Sequence, residues 1–103
     1  MNLKIKAIID GKRYNTETAT KIGEASFGAR TDFKAWEASL FRTPRGNYFL
    51  AGRGGPMSPF SQRLSDGSYT SSSRIIPLTE QEAKEWAEKY LDDAIVEKFF
   101  GDQ

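Results

Sequence analysis

The sequence predicts a single α+β domain over residues 1–103, on three observations. An alternating stretch near the N-terminus ends in Asp10-Gly11, a two-residue hairpin signal. A second stretch, WEASLFRTPRGNYFLAGRGG over residues 36–55, carries a turn between two apolar runs. The last quarter opens with a helix-capping pattern and continues with apolar residues at helical spacing. The expected architecture is a small antiparallel sheet made of two hairpins plus an edge strand. One short N-terminal helix and a C-terminal amphipathic helix pack on it.

The first strand covers residues 3–9, where Leu3, Ile5 and Ala7 share one face and Lys4 and Lys6 the other. Asp10 and Gly11 suit a type I′ turn, which needs positive φ at both central positions, and Lys12 to Tyr14 return as the partner strand. Asn15 then reads as a helix N-cap with Glu17 in the first turn. Tyr14 and Ala19 fall at the staple positions, and Ala19, Ile22 and Ala25 or Ser26 form a thin apolar stripe. The expected short helix is weakened at Gly23 and ends before Gly28.

In the second hairpin, Thr43-Pro44-Arg45-Gly46 places Pro where φ is fixed and Gly where a left-handed residue is wanted. A bulged loop there sets Thr43 against Asn47, and so Phe41 opposite Phe49, Leu40 opposite Leu50 and Glu37 opposite Arg53. Both faces carry apolar residues, which marks this hairpin as central to the sheet. Gly52 to Pro59 reads as irregular, residues 65–73 as a polar stretch with an Asp-Gly turn, and residues 74–78 as a short strand whose Pro77 places it at an edge or at its end. Thr79 and Glu82 form a capping box, and Ala83, Trp86, Ala87, Tyr90 and Leu91 share one helical face. Asp92-Asp93 interrupts and re-caps the chain before a last short helix with Ile95, Val96, Phe99 and Phe100.

Composition excludes most chemistry. The chain has no cysteine and no histidine. It therefore has no disulfide, thiol nucleophile or thiolate metal site, and lacks the commonest general base and transition-metal ligand. Glu82, Glu85 and Glu88 lie along the solvated side of a helix, Asp92-Asp93 caps one, and the serines at 71–73 have no base. The GRGGPM stretch lacks the Lys-Ser/Thr of a phosphate-binding loop and does not lead into a helix. The chain thus reads as non-enzymatic, without cofactor or metal. Its longest early apolar run, Ala7-Ile8-Ile9, is too short for a signal core or a membrane span. A cytoplasmic location without a membrane partner is expected.

Charge is divided unequally. Residues 1–78 hold twelve Lys/Arg and six Asp/Glu, and residues 79–103 hold three and eight. Within residues 38–78 every base is an arginine (Arg42, Arg45, Arg53, Arg63 and Arg74), against Asp66 alone. Arginine binds carboxylate and phosphate through a planar fork and is enriched at interface hot spots. These five with Tyr48 are the candidate binding residues. Two readings are open: the arginines meet an anionic partner, or they pair internally with the acidic C-terminal helix. The partner is an acidic or nucleic-acid-binding protein surface. The alternative is nucleic acid itself, with Tyr48, Phe41 and Phe49 stacking on bases. A third expectation is a homodimer through an apolar patch around Phe99 and Phe100.

Three blocks, IIDGKRYNTETATKIGE, WEASLFRTPRGNYFLAGRGGPM and RIIPLTEQEAKEWAEKYL, together resemble an uncharacterised family of short bacterial proteins found in chromosomes, prophages and other mobile elements. They cover about half of the chain. The resemblance transfers no catalytic or binding residue. It implies a setting, because small proteins of mobile DNA that lack catalytic residues are often inhibitors of host defence complexes, the anti-CRISPR proteins among them.

Overall fold

A computed structural model describes residues 4–29 and 32–101. In chain order the elements are β1 (Lys6–Ile9), β2 (Lys12–Asn15), β3 (Thr20–Phe27), β4 (Trp36–Arg42), β5 (Tyr48–Gly54), β6 (Gln62–Arg63), β7 (Tyr69–Thr70), β8 (Ser72–Leu78), α1 (Glu80–Tyr90) and α2 (Asp93–Phe100). The α+β class holds: antiparallel sheets are joined by two helices. Strands β3, β4, β5 and β8 form the main sheet in that order, every neighbouring pair antiparallel.

The first hairpin forms at the expected turn, with Asp10 at φ 52° and Gly11 at φ 77°. It does not extend the main sheet. β1 and β2 make a separate ribbon, whose Tyr14, Ile5, Ala7 and Ile9 pack on Phe41, Phe49, Ala51 and Ile75. Leu3, expected to begin this strand, lies outside the described residues.

The expected N-terminal helix is absent, and β3 stands in its place. Asn15 does cap a turn: its side-chain oxygen accepts from Glu17 N at 2.9 Å, and its carbonyl accepts from Ala19 N at 3.1 Å. That single turn is not continued. Gly23 costs about 1 kcal/mol in a helix, and β-branched Thr20 and Ile22 favour a strand. Pairing along the whole of β4 decides the matter, with a bulge between Lys21 and Gly23. The stripe Ala19, Ile22, Ala25 is consequently divided, Ala19 joining Tyr14 on one side of the sheet and Ile22 the core on the other.

The second hairpin has the expected register. Thr43 N donates to Asn47 O at 2.8 Å, Gly46 N donates to Thr43 O at 2.9 Å, and Gly46 has φ 91°. Phe41 faces Phe49, Leu40 faces Leu50 and Glu37 faces Arg53. The rings of Phe41 and Phe49 stack with centroids 5.2 Å apart. These strands are the middle pair of the sheet, so both faces are covered. Gly52 to Gly54, expected to be irregular, continue β5, and β8 begins at Ser72 rather than at Arg74. Pro77 sits on edge strand β8, where its missing N–H breaks no ladder.

The helices cover the other face. Thr79 and Glu82 form the expected capping box, with Glu82 N donating to Thr79 Oγ1 at 3.1 Å and Thr79 N to Glu82 Oε1 at 2.8 Å. Asp92 caps α2, accepting from Ile95 N at 3.0 Å. Ala83, Ala87 and Phe100 pack against Ile22, Leu40, Tyr48 and Leu50, with Trp36, Trp86 and Leu91 at the margin. The result is three layers: ribbon, sheet and helix pair. Among the described residues no helix is long and apolar enough to cross a membrane.

Candidate binding surface

The six candidate residues do not share a surface. Arg42 and Arg45 are exposed at the β4–β5 turn. The Arg42 guanidinium lies over the Tyr48 ring, 5.9 Å from its centroid, and would be 3.5 Å from a Cβ on Gly46. Arg53 stands five residues along β5 from Tyr48, about 17 Å at the rise of a strand. It points to the opposite side, paired with Glu37 across the strands. Arg74 faces Gly52 at that far end, where its Nη1 donates to Ser61 O at 3.5 Å. Arg63 is exposed on β6 opposite Tyr69.

Among the described residues no arginine reaches a carboxylate of α1. The ion pairs there are Arg53–Glu37 and Lys21–Glu24, the latter at 2.8 Å. Among the described residues, Arg42, Arg45, Arg53, Arg63 and Arg74 therefore make no ion pair with the acidic helix. Lys21 holds the Glu24 carboxyl below its ordinary pKa, and the Ser68 hydroxyl and amide do the same for Asp66. Both carboxylates are exposed and belong to local turns and pairs. No grouping of three or more metal-ligating side chains occurs among the described residues.

Tyr48 is 6% exposed, its ring covered by Arg42 on the turn side and by Phe100 of α2 at 5.6 Å. Phe41 and Phe49 are buried as well. None of the three offers an open face to a base. The apolar patch expected around Phe99 and Phe100 is likewise taken up inside the fold: Phe100 is 2% exposed and Phe99 packs on the core. Helix α2 folds back onto the sheet instead of presenting this face.

What sequence reasoning missed lies at both ends of the sheet. At the β3–β4 end, Phe27, Phe33 and Met57 are exposed beside Trp36, with Phe27 stacked on Trp36 at 6.3 Å and Met57 N bound to Phe33 O at 2.9 Å. At the other end, the tip of the β1–β2 ribbon, the β4–β5 turn and the start of α1 enclose a cleft of about 340 Å³. Asp10, Lys12 and Tyr14 line it from the ribbon, Tyr48 from β5, and Glu80 and Glu82 from α1. No local motif marks this cleft, because its walls come from three segments far apart in sequence.

Comparison with known protein families, with curated proteins and with solved structures finds no match to this chain.

Proposed function

We propose that this chain is a non-enzymatic binding protein, an inhibitor of the anti-defence, anti-CRISPR type, that docks on an acidic or nucleic-acid-binding protein surface through the β4–β5 turn. One observation carries the docking site. Arg42 and Arg45 are exposed on a well-specified turn, and among the described residues neither pairs with a carboxylate. Two such guanidinium groups, held on a rigid hairpin, lose little freedom on meeting carboxylates. The setting comes from the three sequence blocks that resemble proteins of mobile elements.

The test is capture of partners from a bacterial host lysate by the tagged protein, beside the R42E/R45E variant. A protein partner that wild type retains and the variant loses supports the reading. Capture of no protein, or equal capture by both, sinks it. Retardation of single-stranded nucleic acid in a low-salt gel, abolished by the same two substitutions, would favour the nucleic-acid alternative. That alternative has less support, because Tyr48, Phe41 and Phe49 are buried.

A further inference from the structure

Among the described residues six large apolar side chains are exposed: Ile8, Phe27, Phe33, Met57, Leu64 and Tyr69. Ile8 stands apart from the rest, on the β1–β2 ribbon. The other five lie at one end of the main sheet or on the two connections that leave it. That end is the paired row Phe27, Trp36, Gly54 and Ser72. The β3–β4 connection carries Phe33, and the β5–β8 connection, which includes the β6–β7 hairpin, carries Met57, Leu64 and Tyr69.

Backbone contacts hold these two connections against each other. Met57 N donates to Phe33 O at 2.9 Å, and Gly55 N donates to Ala35 O at 2.9 Å. A Cβ on Gly55 would stand 2.5 Å from Phe33 O, so the loops approach this closely only with glycine there. Phe27 stacks on Trp36 at 6.3 Å, and Trp36 in turn meets Phe60, Trp86 and Tyr90. The exposed side chains thus continue an aromatic cluster that reaches the core.

Apolar side chains scattered singly on a surface need no explanation, but a group of this size does. Large side chains carry about 150–250 Å² each, so five that are 42% to 66% open leave roughly 500 Å² on one copy and about 1,000 Å² across a pair. That reaches the size of a specific but weak contact between two soluble chains. The exposed charges beside the patch are of both signs. Asp32 and Lys34 flank Phe33, and Arg63 and Asp66 stand close to Leu64 in the chain. A two-fold axis can set the acid of one copy beside the base of the other, a match that a patch of one sign does not allow.

We propose that this end of the sheet is an interface with a second copy of the chain, the two related by a two-fold axis. β5 runs about 20 Å from Tyr48 to Gly54, so the β4–β5 turns with Arg42 and Arg45 stand at the two outer ends of the pair. A pair of docking turns on one particle raises avidity without any new contact. The interface itself does not depend on what those turns bind, because oligomeric state is measured with no partner present. Capture of a host protein by a chain that stays monomeric would uphold the docking role and sink this assignment.

The experiment is sedimentation velocity of the full chain between about 1 µM and about 1 mM, with wild type, F33D/M57D, L64S/Y69S and R42E/R45E side by side. Wild type should pass from the mass of one chain to that of two, with a dissociation constant on the order of 10–100 µM. F33D/M57D should stay monomeric throughout, L64S/Y69S should dimerise severalfold more weakly, and R42E/R45E should match wild type. Circular dichroism at low concentration checks the fold of each variant, and if F33D/M57D is unfolded, L64S/Y69S decides alone. A wild type that remains monomeric at the highest concentration overturns the assignment, as does one that stays monomeric and binds phosphatidylcholine vesicles. So do dimers that the patch substitutions leave intact, or dimers that R42E/R45E dissolves.

Discussion

Phe60 occupies the space that a side chain at position 52 would need: a Cβ on Gly52 would stand 2.6 Å from its Cζ and 2.7 Å from the Glu37 carbonyl oxygen. Phe60 is 2% exposed and belongs to the helix-side core, so the loop after β5 is anchored on bare backbone. Gly52→Ala should destabilise by about 1–3 kcal/mol, because neither neighbour can move without disturbing the core or the β4–β5 ladder. Urea unfolding followed by tryptophan fluorescence measures this. Unchanged stability would mean that Phe60 is not seated there.

Thr79 carries the start of α1. Thr79→Ala removes the oxygen that accepts from Glu82 N and should cost about 1 kcal/mol, a shift of roughly 5 °C in Tm. Thr79→Ser keeps the oxygen and should retain most of that stability. Equal losses in the two variants would point to the lost methyl group rather than the cap.

Phe49 and Phe33 separate core from surface. Phe49 is fully buried between the Phe41 stack and the edge of Tyr14, so Phe49→Ala should cost about 3–5 kcal/mol and leave little folded protein. Phe33 is 66% exposed, and Phe33→Ala should change stability by no more than about 0.5 kcal/mol. Thermal unfolding by circular dichroism distinguishes the two.

Stability should be nearly flat between about pH 5 and 8, since the sequence has no histidine and, among the described residues, Glu24 and Asp66 are the groups with a shifted pKa. Glu24 and Asp66 are lowered in the folded state. Their contribution is complete above the unfolded carboxylate values and disappears as pH falls through the folded ones. Tm should therefore decline only below about pH 4, and modestly, because both groups face water. A fall between pH 6 and 7 would contradict this account.

The hairpins, the capped helix and the edge position of β8 were legible because each depends on residues close in sequence. Asp10-Gly11 and Gly46 supply positive φ where the turns require it, and Thr79 and Glu82 satisfy each other across one helical turn. The segment from Thr20 to Phe27 was misread because its local signals conflict. Asn15 starts a helical turn, and only the complete length of β4 alongside outweighs it. The candidate arginines were legible as a composition. Their separation into a turn pair, a cross-strand pair with Glu37 and two loop-side residues followed from which strand face and which end each occupies.

By itself, then, the sequence determined the α+β class and the register of the central hairpin, which follow from local turn and cap residues and the apolar patterning beside them. Tertiary structure decided that the first hairpin covers the sheet instead of extending it, that Tyr48 and Phe100 are buried together, and that Tyr14, Tyr48 and Glu80 border one cleft. The physical reason is that burial and long-range strand pairing compare alternatives across the whole chain, whereas turn and cap preferences are settled residue by residue.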